Sequence, residues 1–162
     1  MKKLMMIAMV SLAGLMAEAS TAQPAYVCKI DFSGTSQGAQ LLIGSFKTQA
    51  KGTLSCLDLT GVVTSTPVNI TIASHLLSPT IGLGSFQITG STAEVSLLNL
   101  APSVLFGKYL VAQGQASLIG GAAAFTAVRV GLPELQLQVS LQVVSGYGVE
   151  AGLSTMTISP AN

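Results

Sequence analysis

Three residues in this chain have the make-up of a hydrolytic triad. Ser36 sits in Gly34-Thr35-Ser36-Gln37-Gly38, a match to G-x-S-x-G, and Asp58 and His75 follow in the order Ser, Asp, His. In an α/β-hydrolase the two glycines permit a strained strand-to-helix turn that exposes the serine hydroxyl. The surroundings here do not supply that turn. No helical pattern follows Gly38, strands and helices do not alternate around it, and both partners arrive within about forty residues. An exposed β-turn in a chain rich in glycine and serine explains the same five residues, so no catalytic residue is assigned.

The other groups capable of chemistry are dispersed. His75, in Ala73-Ser74-His75-Leu76-Leu77, has no carboxylate close in sequence and reads as a surface or turn residue. Asp31, Asp58, Glu94, Glu134 and Glu150 are isolated from one another, and no pair stands out for acid–base work. Gly82-Leu83-Gly84 and Gly120-Gly121 lack the further glycines and the helix of a phosphate cradle, and Gly107-Lys108 lacks the upstream loop of a P-loop. Tyr109, Tyr147 and the phenylalanines read as core or turn anchors. No cofactor is expected.

Cys28 and Cys56 are the only cysteines. In an oxidising compartment such a pair most simply forms one disulfide, closing a loop of about 29 residues worth about 3–4 kcal/mol in a chain-entropy model. Metal binding would require ligands beyond His75, the sole histidine. Ala25-Tyr26-Val27 before Cys28 does not resemble a lipoprotein cleavage sequence.

The compartment is read from the start of the chain. Met1-Lys2-Lys3 is charged, Leu4 to Met16 is an apolar run, and Ser20-Thr21-Ala22 is a small-residue end before Gln23-Pro24. This is the layout of a cleavable bacterial signal peptide spanning residues 1–22, with cleavage after Ala22. Removing 22 residues from 162 leaves 140, enough for one domain with a single core. The remainder carries Lys29, Lys47, Lys51, Lys108 and Arg129 against Asp31, Asp58, Glu94, Glu134 and Glu150, a net charge of zero. That balance excludes a basic footprint for nucleic acid or anionic lipid. No stretch after residue 22 approaches the roughly eighteen apolar residues of a transmembrane helix.

The elements that would hold these residues are strands. Sixteen of the 17 glycines lie after residue 22, about 11% of that segment against a usual ~7%. Lys108–Leu118, Ala122–Val130, Glu134–Val144 and Gly148–Ile158 recur at a spacing of about thirteen residues. Short glycine-containing breaks separate them: 119–121, 131–133 and 145–147. Leu135, Leu137, Val139, Leu141 and Val143 alternate with Glu134, Gln136, Gln138, Ser140 and Gln142, the period of a half-buried strand. Upstream, 26–32, 52–59, 67–73, 84–89 and 94–98 read as strands, 40–45 as a strand or buried turn, and 101–106 as a short helical turn. Ala112, Gly114, Ala116 and the alanines from Ala122 suit a tightly curved sheet or two closely packed ones. The expected architecture is an all-β antiparallel meander of about eight to ten strands, closing into a small barrel or sandwich.

One set of residues resembles a known family. Cys28, Ile43-Gly44-Ser45 with Lys47, and Leu54 with Cys56 look like the N-terminal half of the small exported bacterial proteins grouped as domain of unknown function family 992. Gly107-Lys108-Tyr109, Gly120-Gly121 and the Leu135–Val143 strand are also similar. The likeness spans nearly all of residues 23–162; Leu132-Pro133 and the stretch 33–40 depart from it. It implies export, this length and a paired-cysteine β domain, and supplies no activity or catalytic residues.

The expectation is therefore a single β domain over 23–162, periplasmic or secreted and non-enzymatic, acting by binding or assembly with an envelope protein. One alternative is a barrel enclosing an apolar small molecule or lipid, with Ala112, Gly114, Ala116 and Ala124 leaving the space. A more remote one is a small outer-membrane barrel. Against it stand the eight aromatics without paired girdles, the short breaks and an end at Ser159-Pro160 rather than an aromatic residue.

Overall fold

The computed structural model describes residues 25–41, 43–74, 81–111, 117–118, 122–151 and 153–162. His75, the 119–121 break and the Ala112, Gly114 and Ala116 cluster lie outside them. The described chain is almost entirely strand: β1 Ala25–Leu41, β2 Ile43–Asp58, β3 Val63–Ser74, β4 Ile81–Thr92, β5 Val95–Leu98, β6 Gly107–Val111, β7 Ser117–Leu118, β8 Ala122–Arg129, β9 Gln136–Ala151 and β10 Leu153–Pro160. Its one helical turn, a 3₁₀ turn at Pro102–Leu105, falls where the 101–106 segment predicted it.

Eight strands pair antiparallel in the order β2-β3-β10-β6-β8-β9-β4-β1, and the β1–β2 ladder closes the circle. The sheet is a barrel, not a sandwich. Its path departs from a plain meander in two places. β1, β2 and β3 run as successive neighbours, but β4 returns to pair with β1 rather than with β3. Likewise β6, β8 and β9 are successive neighbours, and β10 returns to β6 rather than to β9. Each set has the spatial order 4-1-2-3 of a Greek key. The barrel is two such units joined at β3–β10 and β9–β4.

Two expected breaks prove to be strand. Ser145-Gly146-Tyr147 is no turn: β9 runs through it, pairing with Ser85–Gln87 of β4, and the register shifts where Val144 is the extra residue. Glycine and serine there accommodate a bulge instead of a reversal. Gly34–Gly38, expected as an exposed turn, lies in the middle of β1 and pairs on both edges, with β2 and with β4. Of the 40–45 stretch, Gln40 and Leu41 pair with Gly44 and Ile43 at the end of the β1–β2 ladder, and Leu42 lies outside the described residues.

The alternation of β9 holds as read: Leu135, Leu137, Val139 and Leu141 are buried, while Gln136, Gln138, Ser140 and Gln142 are exposed. The same rule fills the described interior from every side, with Ile30, Phe32, Leu54, Ile70, Ile72, Ile88, Tyr109, Phe125, Met156 and Ile158. Phe32 occupies the middle of this core because its partners across both ladders are glycines, Gly52 and Gly90. A Cβ on Gly90 would collide with the Phe32 ring and with Leu141. The outward face carries Lys29, Asp31, Lys47, Gln49, Lys51 and Asn69. A barrel in lipid shows an apolar band outward, so the polarity of the described wall runs against the outer-membrane alternative.

Candidate functional site

Of the residues singled out for hydrolysis, Ser36 and Asp58 are not brought together, and His75 lies outside the described residues. Ser36 faces the barrel interior, 1% exposed, with its hydroxyl 2.6 Å from that of Thr48 on β2. Asp58 ends β2 opposite Tyr26, ten residues along β1 from Ser36, or roughly 30 Å at about 3.3 Å per residue. Its carboxylate is committed to the β2–β3 turn: Oδ1 accepts from the Thr60 N–H (2.8 Å), the Thr60 hydroxyl (2.7 Å) and the Val62 N–H (2.9 Å). These hydrogen bonds, that of the Thr60 hydroxyl first, hold the Asp58 carboxyl below its ordinary pKa.

Cys28 and Cys56 are joined. They stand directly opposite each other in the β1–β2 ladder, Cα atoms 4.1 Å apart, and the bond is buried in the barrel wall. Cys28 also pairs with Val95 of β5, so the bridge ties three adjacent strands at one end of the barrel.

That end is sealed by the chain between β5 and β6. Leu105 of the 3₁₀ turn is buried beneath Tyr109, and the Tyr109 hydroxyl donates 2.7 Å to the Leu105 carbonyl. Burial pushes the Tyr109 pKa up to about 12, with the Arg129 charge opposing the rise. Arg129, the one arginine in the chain, donates to the carbonyls of Phe106 (2.7 Å), Val130 (2.9 Å), Lys108 (3.2 Å) and Val104 (3.4 Å). Tyr109 was legible as an anchor; the role of Arg129 was not, because no sequence spacing links an arginine to carbonyls twenty residues upstream. The 3₁₀ turn and Arg129 therefore form a structural plug.

Concavities open on the outer wall among the described residues. One, about 590 Å³, crosses β9, β4, β1 and β2 between Gln142, Ser140, Thr89, Ser91, Asp31, Ser33, Lys51 and Thr53, with Gly90 and Gly52 in its floor. Asp31 is held there by an ion pair with Lys29 at 3.0 Å. Another, about 480 Å³, is apolar and lies at the disulfide end between Ala25, Val27, Leu57, Leu59 and Leu98. Ala124, expected to leave room inside the barrel, is exposed on the outer face. Among the described residues no three of His, Cys, Asp and Glu gather in one place, and no helix is long and apolar enough to cross a membrane. Comparison with protein-family models, curated proteins and solved structures finds no match to the chain.

Proposed function

We propose that this chain is an exported, non-enzymatic β-barrel domain that works by binding or assembly in the bacterial cell envelope. The observation that carries the reading is the buried Cys28–Cys56 bridge across neighbouring strands. Such bonds persist in oxidising compartments and are rare in a reducing cytosol. The layout of residues 1–22 supports the same address. So does the likeness to domain of unknown function family 992, since that family is exported. The side chains that fill the described part of the interior and the burial of Ser36 favour a role for the outer surface over chemistry at an enclosed centre.

Fractionation of a bacterial host followed by intact-mass analysis tests this. The expected product is extracytoplasmic, begins at Gln23 and is lighter by two hydrogens than the reduced chain. A cytoplasmic product that retains Met1 and has two freely alkylated thiols would overturn the reading.

A further inference from the structure

Two furrows run side by side across the strands on the outer wall of the barrel, and the register of the sheet defines them. Gln142, Thr89, Ser33, Lys51 and Asn69 stand opposite one another in a single row from β9 through β4, β1 and β2 to β3. A second row, Ser140, Ser91, Asp31 and Thr53, lies two residues to one side of it. A third, Thr35, Gln49 and Thr71, lies two residues to the other. The 590 Å³ concavity lies between the first and second rows, over Gly90, Phe32 and Gly52. One of about 490 Å³ lies between the first and third, over Gly34, Ala50 and Ile70. Phe32, Ala50 and Ile70 turn inward and are buried, so each floor is bare backbone between two walls of mostly short polar side chains. Crossing four strands at about 4.8 Å each, the larger furrow is roughly 14 Å long.

The polar groups of these walls are unspent. Among the described residues the side chains of Ser33, Gln49, Lys51, Asn69, Thr89 and Gln142 make no hydrogen bond or ion pair. Polar side chains elsewhere are engaged: Asp58 by its turn, Arg129 by four carbonyls. Hydroxyls and side-chain amides can each donate and accept. Asp31 is paired with Lys29, which leaves Lys51, in the wall shared by both furrows, as their one uncompensated charge.

We propose that these furrows bind a glycan chain that carries carboxylates, laid across the strands with a carboxylate on Lys51. A sugar chain presents hydroxyls that donate and accept, as the walls do, and its carboxylate complements the lysine. Other ligand classes do not match. β1 is paired on both edges here, so an extended peptide finds no free ladder. No aromatic, methionine or arginine side chain, the residues that anchor protein interfaces, projects outward into either furrow. The polar walls do not suit lipid, and a single lysine is not the basic stripe that nucleic acid requires.

The inference rests on the binding half of the proposed function and names its ligand class. An exported, oxidised protein that binds no sugar defeats the glycan alone; a cytoplasmic chain that binds it defeats the export reading alone. The experiment is calorimetric titration of the purified, oxidised protein with two tetrasaccharides. One alternates N-acetylglucosamine with N-acetylmuramic acid, which carries a carboxylate; the other is N-acetylglucosamine throughout and neutral. Both should bind, the carboxylated one tighter by about threefold or more, and Lys51→Gln should erase that difference. Gln142→Ala and Thr89→Val, on different strands of the same wall, should each weaken both sugars by about threefold, with unchanged circular dichroism. Lys108→Gln removes an exposed lysine outside both furrows and should change neither. Absence of binding to either sugar at about 10 mM overturns the proposal. So does binding that Lys51→Gln, Gln142→Ala and Thr89→Val all leave untouched.

Discussion

The guanidinium of Arg129 lies 5.6 Å from the centroid of the Tyr109 ring, stacked as a cation over an aromatic face. The two residues face each other across the β6–β8 ladder, where they are register partners. Their heads then diverge. The tyrosine hydroxyl reaches the carbonyl of Leu105, and the arginine reaches those of Val104, Phe106, Lys108 and Val130. Three of these five backbone acceptors, Val104, Leu105 and Phe106, belong to the segment between β5 and β6 that no strand covers; Lys108 is in β6 and Val130 in the turn after β8. Unmet buried acceptors are costly, so this cross-strand pair is what allows an irregular segment to close the end of a barrel.

Tyr109→Phe should keep the ring packing and remove only the hydroxyl. The Leu105 carbonyl, part of a buried segment, is left without that partner, and the expected loss is about 1–2 kcal/mol in urea unfolding. The wild type should also have an alkaline signature that the variant lacks. Tyr109 titrates near 12 when folded, above its ordinary 10.0. The folded state therefore holds the proton more tightly, and the contribution is complete below pH 10.0 and lost as pH rises toward about 12. The difference in stability between wild type and Tyr109→Phe should accordingly narrow across that window.

Arg129→Lys keeps the charge and should still destabilise. A lysine ammonium is a point donor without the planar fork that spans several carbonyls at once. Loss of the hydrogen bonds to Phe106 and Val104 should cost roughly 1–3 kcal/mol, since both are part-buried and made by a charged donor. Gly107 makes the site unforgiving in the other direction. Its φ is +135° and a Cβ there would collide with the Arg129 guanidinium, so Gly107→Ala should lower Tm as well. Combined with Arg129→Lys, Gly107→Ala should cost less than it does alone, which a double-mutant cycle would read.

Much of this architecture was legible in the chain, and the parts that were not share a cause. Strand identity follows from local alternation, as in Leu135 to Val143 against their glutamines, because period two is written residue by residue. The disulfide was legible because only two cysteines exist. The return of β4 to β1 and of β10 to β6 was not, since the choice of strand partner depends on closing the sheet and leaves no mark in either strand. Glycine misled twice. At 34–38 and 145–147 it signalled a turn, whereas the fold uses it to let neighbouring strands approach or bulge within a curved wall. Ser36 was misread for the same reason: placed in a turn it would be exposed, and placed in β1 its parity turns it inward.

Gly90→Ala tests that reading of glycine. The added methyl would meet the Phe32 ring and Leu141 in a filled core, where overpacking costs about 1–3 kcal/mol. Phe32→Leu alone should cost a similar amount, because it empties space that nothing else fills. If the two positions are complementary, the double variant should be more stable than the sum of the separate losses predicts, by at least about 0.5 kcal/mol. Strict additivity in chemical denaturation would show that Phe32 does not occupy the space above Gly90.

Asp58 offers a test at the opposite extreme of pH. Its carboxylate collects three hydrogen bonds that define the β2–β3 turn, and they hold its pKa below the ordinary 3.8. The folded state therefore favours the charged form. The resulting stability is present above pH 3.8 and declines as pH falls through the lowered folded value. Asp58→Ala should lower Tm at about pH 6, where the wild-type carboxylate is ionised in both states, and the gap to wild type should shrink toward about pH 2. Asp58→Asn retains an acceptor oxygen and should fall between the two at about pH 6, with a smaller dependence on acid than the wild type.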